Sequence, residues 1–166
     1  MAEHQLAGEP EKQLKNIEGG SGDPSKDAAD AIIKKKTLKI FNYGNMSRSF
    51  TFIDDVIEIL MRLIKKPAIP DESFDSKKPN SATSWCPHRI FNIGNENSIA
   101  LLTFIKMLEK ELGLEGIKDF ECLQKGDVVN TLSDNTNINE WIGAYRKTSL
   151  TKGIKKFIDW YRDYYK

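Results

Sequence analysis

A mixed α/β fold is predicted by three observations along the 166 residues. Short β-prone runs end in glycine or asparagine turns, as at Leu38–Phe41, Arg89–Ile93 and Lys118–Leu123. Between and after them lie stretches with apolar residues at helical spacing. All aromatic residues fall after Lys36, so the globular part begins near that point.

The N-terminal stretch has a different composition. Gly19-Gly20-Ser21-Gly22 is followed by Asp23-Pro24, and no Phe, Trp or Tyr occurs before Leu38. Residues 1–30 therefore read as a flexible polar tail and linker, and 31–166 as one folded domain. One amphipathic segment, Asp27–Lys36, has Ala28, Ala31, Ile32 and Ile33 as its apolar residues and suits a helix. Leu38-Lys39-Ile40-Phe41 follows as a strand, closed by the turn Asn42-Tyr43-Gly44-Asn45.

Ser49–Ile53 is a second β-prone run leading to Asp54 and Asp55, either of which suits a helix N-cap. Val56, Ile57, Leu60, Leu63 and Ile64 give that helix its apolar spacing, and Pro67 ends it. Pro67–Pro87 has four prolines and no periodicity, so it is a long loop of the kind found over binding sites or in disordered segments. Arg89–Ile93 is a strand stopped by Gly94-Asn95, and Ile99–Leu112 is an amphipathic helix stopped by Gly113. Lys118–Leu123 is a strand, Gln124-Lys125-Gly126-Asp127 a turn, and Asn137–Ile142 a short helix before Gly143. A final helix from Thr148 aligns Leu150, Ile154, Phe157, Ile158, Tyr161 and Tyr165.

Charge excludes some partners. Twenty-five basic residues oppose 24 acidic ones, which leaves no field to gather nucleic acid or an anionic membrane. No apolar stretch reaches the ~18 residues of a membrane span. Cys86 and Cys122 stand alone, without metal-ligand spacing, and fit a reducing cytoplasm. His88 has no Cys or carboxylate constellation around it, which argues against a metal or catalytic role.

Three blocks, in order, carry a family resemblance. They are Lys39–Asp55, with its glycine turn, Arg48-Ser49-Phe50 and Asp54-Asp55; Arg89-Ile90-Phe91-Asn92-Ile93-Gly94-Asn95; and Gln124-Lys125-Gly126-Asp127-Val128 with Ser133-Asp134. With the aromatic ending Phe157–Tyr165, the chain resembles the C-terminal part of the extended short-chain dehydrogenase/reductases. Within that family it is similar to the NAD-dependent epimerases acting on UDP-glucuronate and related UDP-hexoses.

The resemblance implies the substrate-binding part of that fold, with Arg89–Ile93 and the Asp55–Ile64 helix as a remnant edge of the nucleotide-binding sheet. It implies a UDP-sugar ligand, with Arg48 on the pyrophosphate and Asp127 on the ribose hydroxyls. Gln124 stands near the phosphates, and Lys125 replaces the family's usual proline. Ile40 and Phe41 flank the uracil, although a strand Ile-Phe pair also serves as core. Arg89 either reaches the ligand from the loop or caps its strand. The chain lacks the family's Gly-x-x-Gly-x-x-Gly turn and its Tyr-x-x-x-Lys, since no tyrosine has a lysine four positions on.

NAD is thus the cofactor of full-length relatives, with no cofactor-binding or catalytic residue expected in this chain. A truncated, cytoplasmic epimerase that retains UDP-sugar binding is the resulting expectation. The alternatives are the C-terminal chain of a split epimerase with a separate NAD-binding partner, or a non-catalytic interaction protein or gene remnant. An orphan strand and an uncovered helix would then pair abnormally or self-associate.

Overall fold

A computed structural model describes residues 24–165, so the expected tail up to residue 23 lies outside the described residues. Helix α1 spans Pro24–Ile33 and strand β1 Thr37–Ile40, followed by a tight turn at Phe41–Gly44. Strand β2 is Ser47–Arg48, α2 Ile53–Lys65, β3 Ile99–Ala100 and α3 Leu101–Leu112. Strand β4 is Ile117–Phe120, and helices α4 and α5 cover Thr136–Ile142 and Leu150–Tyr164. Two two-stranded sheets result: β1 beside β4 in parallel, from Thr37↔Ile117 to Ile40↔Phe120, and β2 beside β3 in antiparallel.

The mixed α/β class is borne out, and the core explains it. Ala28, Ala29 and Ile32 of α1, Ile40 of β1, Phe104, Ile105 and Leu108 of α3, and Ile154, Ile158 and Tyr161 of α5 form one buried cluster. A fully buried isoleucine contributes about 2 kcal/mol, so stability is concentrated where α1, α3 and α5 cover the parallel pair. The boundary at residue 30 falls inside α1. Residues 24–30 belong to the folded unit because Ala28 and Ala29 are core residues that let the helix approach closely.

Helix α1 is also tied to α5 by polar contacts. Asp30 receives a hydrogen bond from the Tyr161 hydroxyl and ion pairs with Lys26 (2.8 Å) and Lys34 (3.0 Å). The hydrogen bond from Lys26, then that from Tyr161, holds the Asp30 carboxyl far below its ordinary range. Burial, then the Asp30 carboxylate, pushes the Tyr161 phenol up to about 12.

The Phe41–Gly44 turn has three successive residues with positive φ: Asn42 at 49°, Tyr43 at 52° and Gly44 at 80°. A Cβ on Gly44 would lie 2.7 Å from Cγ of Leu102, so glycine serves both the conformation and the approach of α3.

Several sequence expectations change. Arg89–Ile93 is not a strand: among the described residues its ladder-type contacts are the Thr83↔Arg89 bridge and the Ile90 amide bonded to the Ala82 carbonyl. β-propensity without a neighbouring strand to accept the ladder leaves extended coil. The Ser49–Ile53 run forms no strand either: β2 ends at Arg48, just before it, and α2 begins at Ile53.

Asp54 and Asp55 sit inside the first turn of α2, where acids suit the helix dipole, while Phe52 occupies the cap position. Asp55 is buried and turned away from its own helix. It accepts hydrogen bonds from the Thr148 amide at 2.8 Å and hydroxyl at 2.7 Å, and Ser149 takes the cap position of α5 that Thr148 was expected to fill.

Candidate functional site

Strand β2 is only two residues long, yet it is the hub that joins the sequence blocks. Ser47 pairs with Ala100 on one side and bridges Asn130 on the other. The Ser47 amide donates to the Val129 carbonyl at 2.9 Å, and the Thr131 amide returns to the Ser47 carbonyl at 3.3 Å. Ser47 Oγ adds a hydrogen bond to Asn130 Oδ1 at 2.8 Å. The chain from Gln124 to Thr131 is thereby fixed against β2, and Arg48 at the end of the strand faces it.

Arg48 uses its guanidinium fork in place. Nη1 donates to the carbonyls of Ser47 (2.9 Å) and Val129 (3.0 Å), and Nη2 reaches Asp127 Oδ1 at 3.1 Å. The buried Met46 thioether lies 4.0 Å from Nη2. Asp127 is held by its own turn: its amide donates to the Gln124 carbonyl at 3.2 Å, and Oδ1 accepts from the Val128 amide at 2.8 Å. Gly126 makes the turn possible with φ of 87°.

The Arg48 and Asp127 side chains are 25% and 32% exposed. A pair this accessible contributes at most about 1 kcal/mol, so an anion offering better geometry can displace the carboxylate. The arrangement thus offers a guanidinium for a phosphate and, beside it, a carboxylate for hydroxyl donors.

The second block docks on the same framework. Ser49 Oγ donates to the Asn95 carbonyl, and the Ser49 amide donates to Thr131 Oγ1 at 3.2 Å. Asn135, 1% exposed, donates from Nδ2 to the Gly94 carbonyl at 2.6 Å and accepts from Ser133 Oγ at 2.8 Å. A Cβ on Gly94 would stand 2.5 Å from Cβ of Ser133, which requires glycine there. The three motif blocks therefore converge on one polar junction.

The expected site residues divide into two groups. Arg48 and Asp127, 79 positions apart, meet directly, and Gln124 lies in the same turn, engaged through its carbonyl. Phe41 is half-buried in the turn after β1. Ile40 is 0% exposed, so its side chain belongs to the core and offers no face to a ligand.

Arg89 has a different set of neighbours. Its guanidinium lies 4.9 Å from the Trp141 ring centre, in a cleft of about 160 Å³ shared with Thr83, Phe91 and Glu140. A larger cavity, about 610 Å³, is a third place, walled by Phe50, Phe52, Phe104, Phe157 and Trp160. Size alone therefore does not mark the charged pair. Met46, the Val129 carbonyl and Asn135 were absent from the sequence-derived set; the only hint of Asn135 was its position after Ser133-Asp134.

No protein-family model matches the chain. Protein CapI of Staphylococcus aureus is 37% identical over 136 residues, which are 82% of this chain and 41% of CapI. A probable UDP-glucuronate 4-epimerase of Rhizobium meliloti is 30% identical over 138 residues, 82% of this chain and 40% of that protein.

Among solved structures, the UDP-glucose 4-epimerase of Thermotoga maritima with UDP-glucose superposes with a TM-score of 0.67. That match has 21% identity over 89% of this chain and 44% of the other. A Bacillus cereus UDP-glucuronic acid 4-epimerase variant in complex with UDP-4-deoxy-4-fluoro-glucuronic acid and NAD gives 0.63, at 25% identity over 83% of this chain and 38% of the other.

The fold of the chain therefore matches part of the fold of these NAD-dependent epimerases. Its sequence homologues are the UDP-glucuronate 4-epimerases. The chain spans about two fifths of the length of the curated relatives named here.

Proposed function

We propose that this chain is a UDP-sugar-binding unit of a UDP-glucuronate or UDP-hexose 4-epimerase-like protein, with Arg48 on the pyrophosphate and Asp127 on the ribose hydroxyls. The observation that carries this reading is the meeting of Arg48 and Asp127 at 3.1 Å on a framework built from three separated sequence blocks. A guanidinium fork matches phosphate oxygens, and a carboxylate matches a vicinal diol. Gln124 and Phe41 stand at the margins of this site, and the folded unit of residues 24–165 is its nucleotide-sugar-binding domain.

The cofactor of the relatives does not fit the described residues. Among them, β3 runs straight into a helix at Ala100–Leu101 and β1 into the single 3-10 turn Phe41–Gly44, and neither junction has a Gly-x-x-Gly-x-x-Gly turn to seat a pyrophosphate on a helix N-terminus. The full sequence also contains no Tyr-x-x-x-Lys. The part proposed for the described residues is therefore binding of the UDP-sugar, with NAD held by residues other than these. Among the described residues no helix is long and apolar enough to cross a membrane. A cytoplasmic setting belongs to the same reading.

Calorimetric titration with UDP, UDP-glucose and UDP-glucuronate tests the reading. Saturable binding of UDP and at least one UDP-sugar is expected, with no epimer formed when NAD is added. An absence of both heat and thermal shift for all three ligands overturns it.

A further inference from the structure

The guanidinium of Arg48 is not waiting empty for an anion. The carbonyls of Ser47 and Val129 accept from Nη1 at 2.9 and 3.0 Å, and Asp127 Oδ1 accepts from Nη2 at 3.1 Å. The two carbonyls fix the plane of the fork, and the carboxylate balances its charge. Asp127 cannot retreat far from it. Its Oδ1 also accepts from the Val128 amide at 2.8 Å, and the Gln124–Asp127 turn is closed by a backbone hydrogen bond.

This anchoring has a consequence for ligands. An anion that takes Nη2 from Asp127 leaves the carboxylate unpaired and only a few ångströms from the newcomer. Like charges that close oppose each other even where both are partly solvated. A bare phosphate has nothing to offer the displaced carboxylate. A ligand that also carries hydroxyl donors beside its phosphate satisfies it with charge-assisted hydrogen bonds. Specificity then arises from a penalty built against the incomplete ligand as well as from contacts with the complete one.

We propose that Asp127 is a specificity-determining residue that closes the Arg48 fork to inorganic phosphates and opens it to ligands bearing a phosphate and a vicinal diol together. In the free chain Asp127 occupies the place of the phosphate, and in the bound chain it holds the hydroxyls. The inference rests on the nucleotide-sugar reading and adds a mechanism of selection to it.

Calorimetric titration of the full chain and of Asp127→Asn with UDP, 2′-deoxy-UDP and inorganic pyrophosphate, at one ionic strength, provides the test. The amide keeps the shape and an acceptor for the Val128 amide but removes the charge, and a near-parental thermal midpoint shows that the variant is folded. Asp127→Ser, with a shorter acceptor, is expected to behave alike. The parent should bind UDP at least roughly 100-fold more tightly than pyrophosphate and lose about tenfold with 2′-deoxy-UDP. In Asp127→Asn, pyrophosphate should tighten by about tenfold, UDP should weaken by about tenfold, and the 2′-deoxy penalty should nearly vanish. Pyrophosphate affinity unchanged by removal of the charge, or an equal 2′-deoxy penalty in parent and variant, overturns this inference while UDP binding by the parent still stands. A parent that binds no UDP overturns the nucleotide-sugar reading and this inference with it.

Discussion

Arg48→Ala is expected to weaken UDP binding by roughly 30–150-fold while leaving the thermal midpoint almost unchanged. The affinity term follows from the loss of charge-assisted hydrogen bonds to phosphate, about 2–3 kcal/mol. The stability term is small because the Arg48–Asp127 pair is partly solvated. Arg48→Lys keeps the charge but loses the planar fork, so an intermediate affinity is expected. Calorimetry of both variants beside thermal melts separates a ligand contact from a structural one. Equal losses of affinity and melting temperature would assign Arg48 to the fold.

Asp30→Ala is expected to cost about 2 kcal/mol at neutral pH. It leaves the hydroxyl of Tyr161, itself 4% exposed, without its acceptor and deprives Lys26 and Lys34 of their shared carboxylate. The pH dependence gives the cause. A carboxyl depressed below its ordinary 3.8 contributes stability that is present above that value and lost as pH falls through the lower folded one. A phenol raised from 10.0 to about 12 contributes stability present below pH 10 and lost as pH rises toward 12. The difference between parent and variant in urea unfolding should thus be largest between about pH 4 and 10 and shrink on both sides. A difference that persists unchanged at pH 2 would show that packing, not the ionised cluster, holds α1 to α5.

The sequence revealed the parts of this molecule that depend on local pattern. Helices α2, α3, α4 and α5 follow from apolar spacing, and Gly113, with φ of 70°, stops α3 as a left-handed cap. The turn at Gln124–Asp127, and Arg48 as a candidate to stand with it, were legible because motif order survives in the chain. Features that depend on distant residues were not. Whether Arg89–Ile93 becomes a strand is decided by the presence of a neighbour to pair with, which no local window contains. The Asp55–Thr148 clasp joins residues 93 positions apart, and each alone resembles an ordinary helix cap. Ile40 and Phe41 are adjacent in sequence, yet Ile40 ends β1 inside the core while Phe41 opens the turn after it, at the margin.

A helix over Asp27–Lys36 was legible, with Ala28 among its apolar residues, but the domain boundary was drawn through it at residue 30. Small alanines carry little hydrophobic signal, although Ala28 and Ala29 are core residues of α1. The exposed stripe of α2 looked, in sequence, like any core-facing helix. Only the structure shows that the more apolar side is the uncovered one.

The central claim is that the three blocks converge to hold a UDP-sugar at Arg48 and Asp127. Following backbone amide shifts of the isotopically labelled chain during titration with UDP tests it residue by residue. Saturable shifts centred on Ser47–Ser49 and Gly126–Thr131, with Trp141 and the α5 aromatics unmoved, are the expected result. Shifts centred on the Phe52–Trp160 cavity or on the Arg89–Trp141 cleft, or none at all, would contradict it.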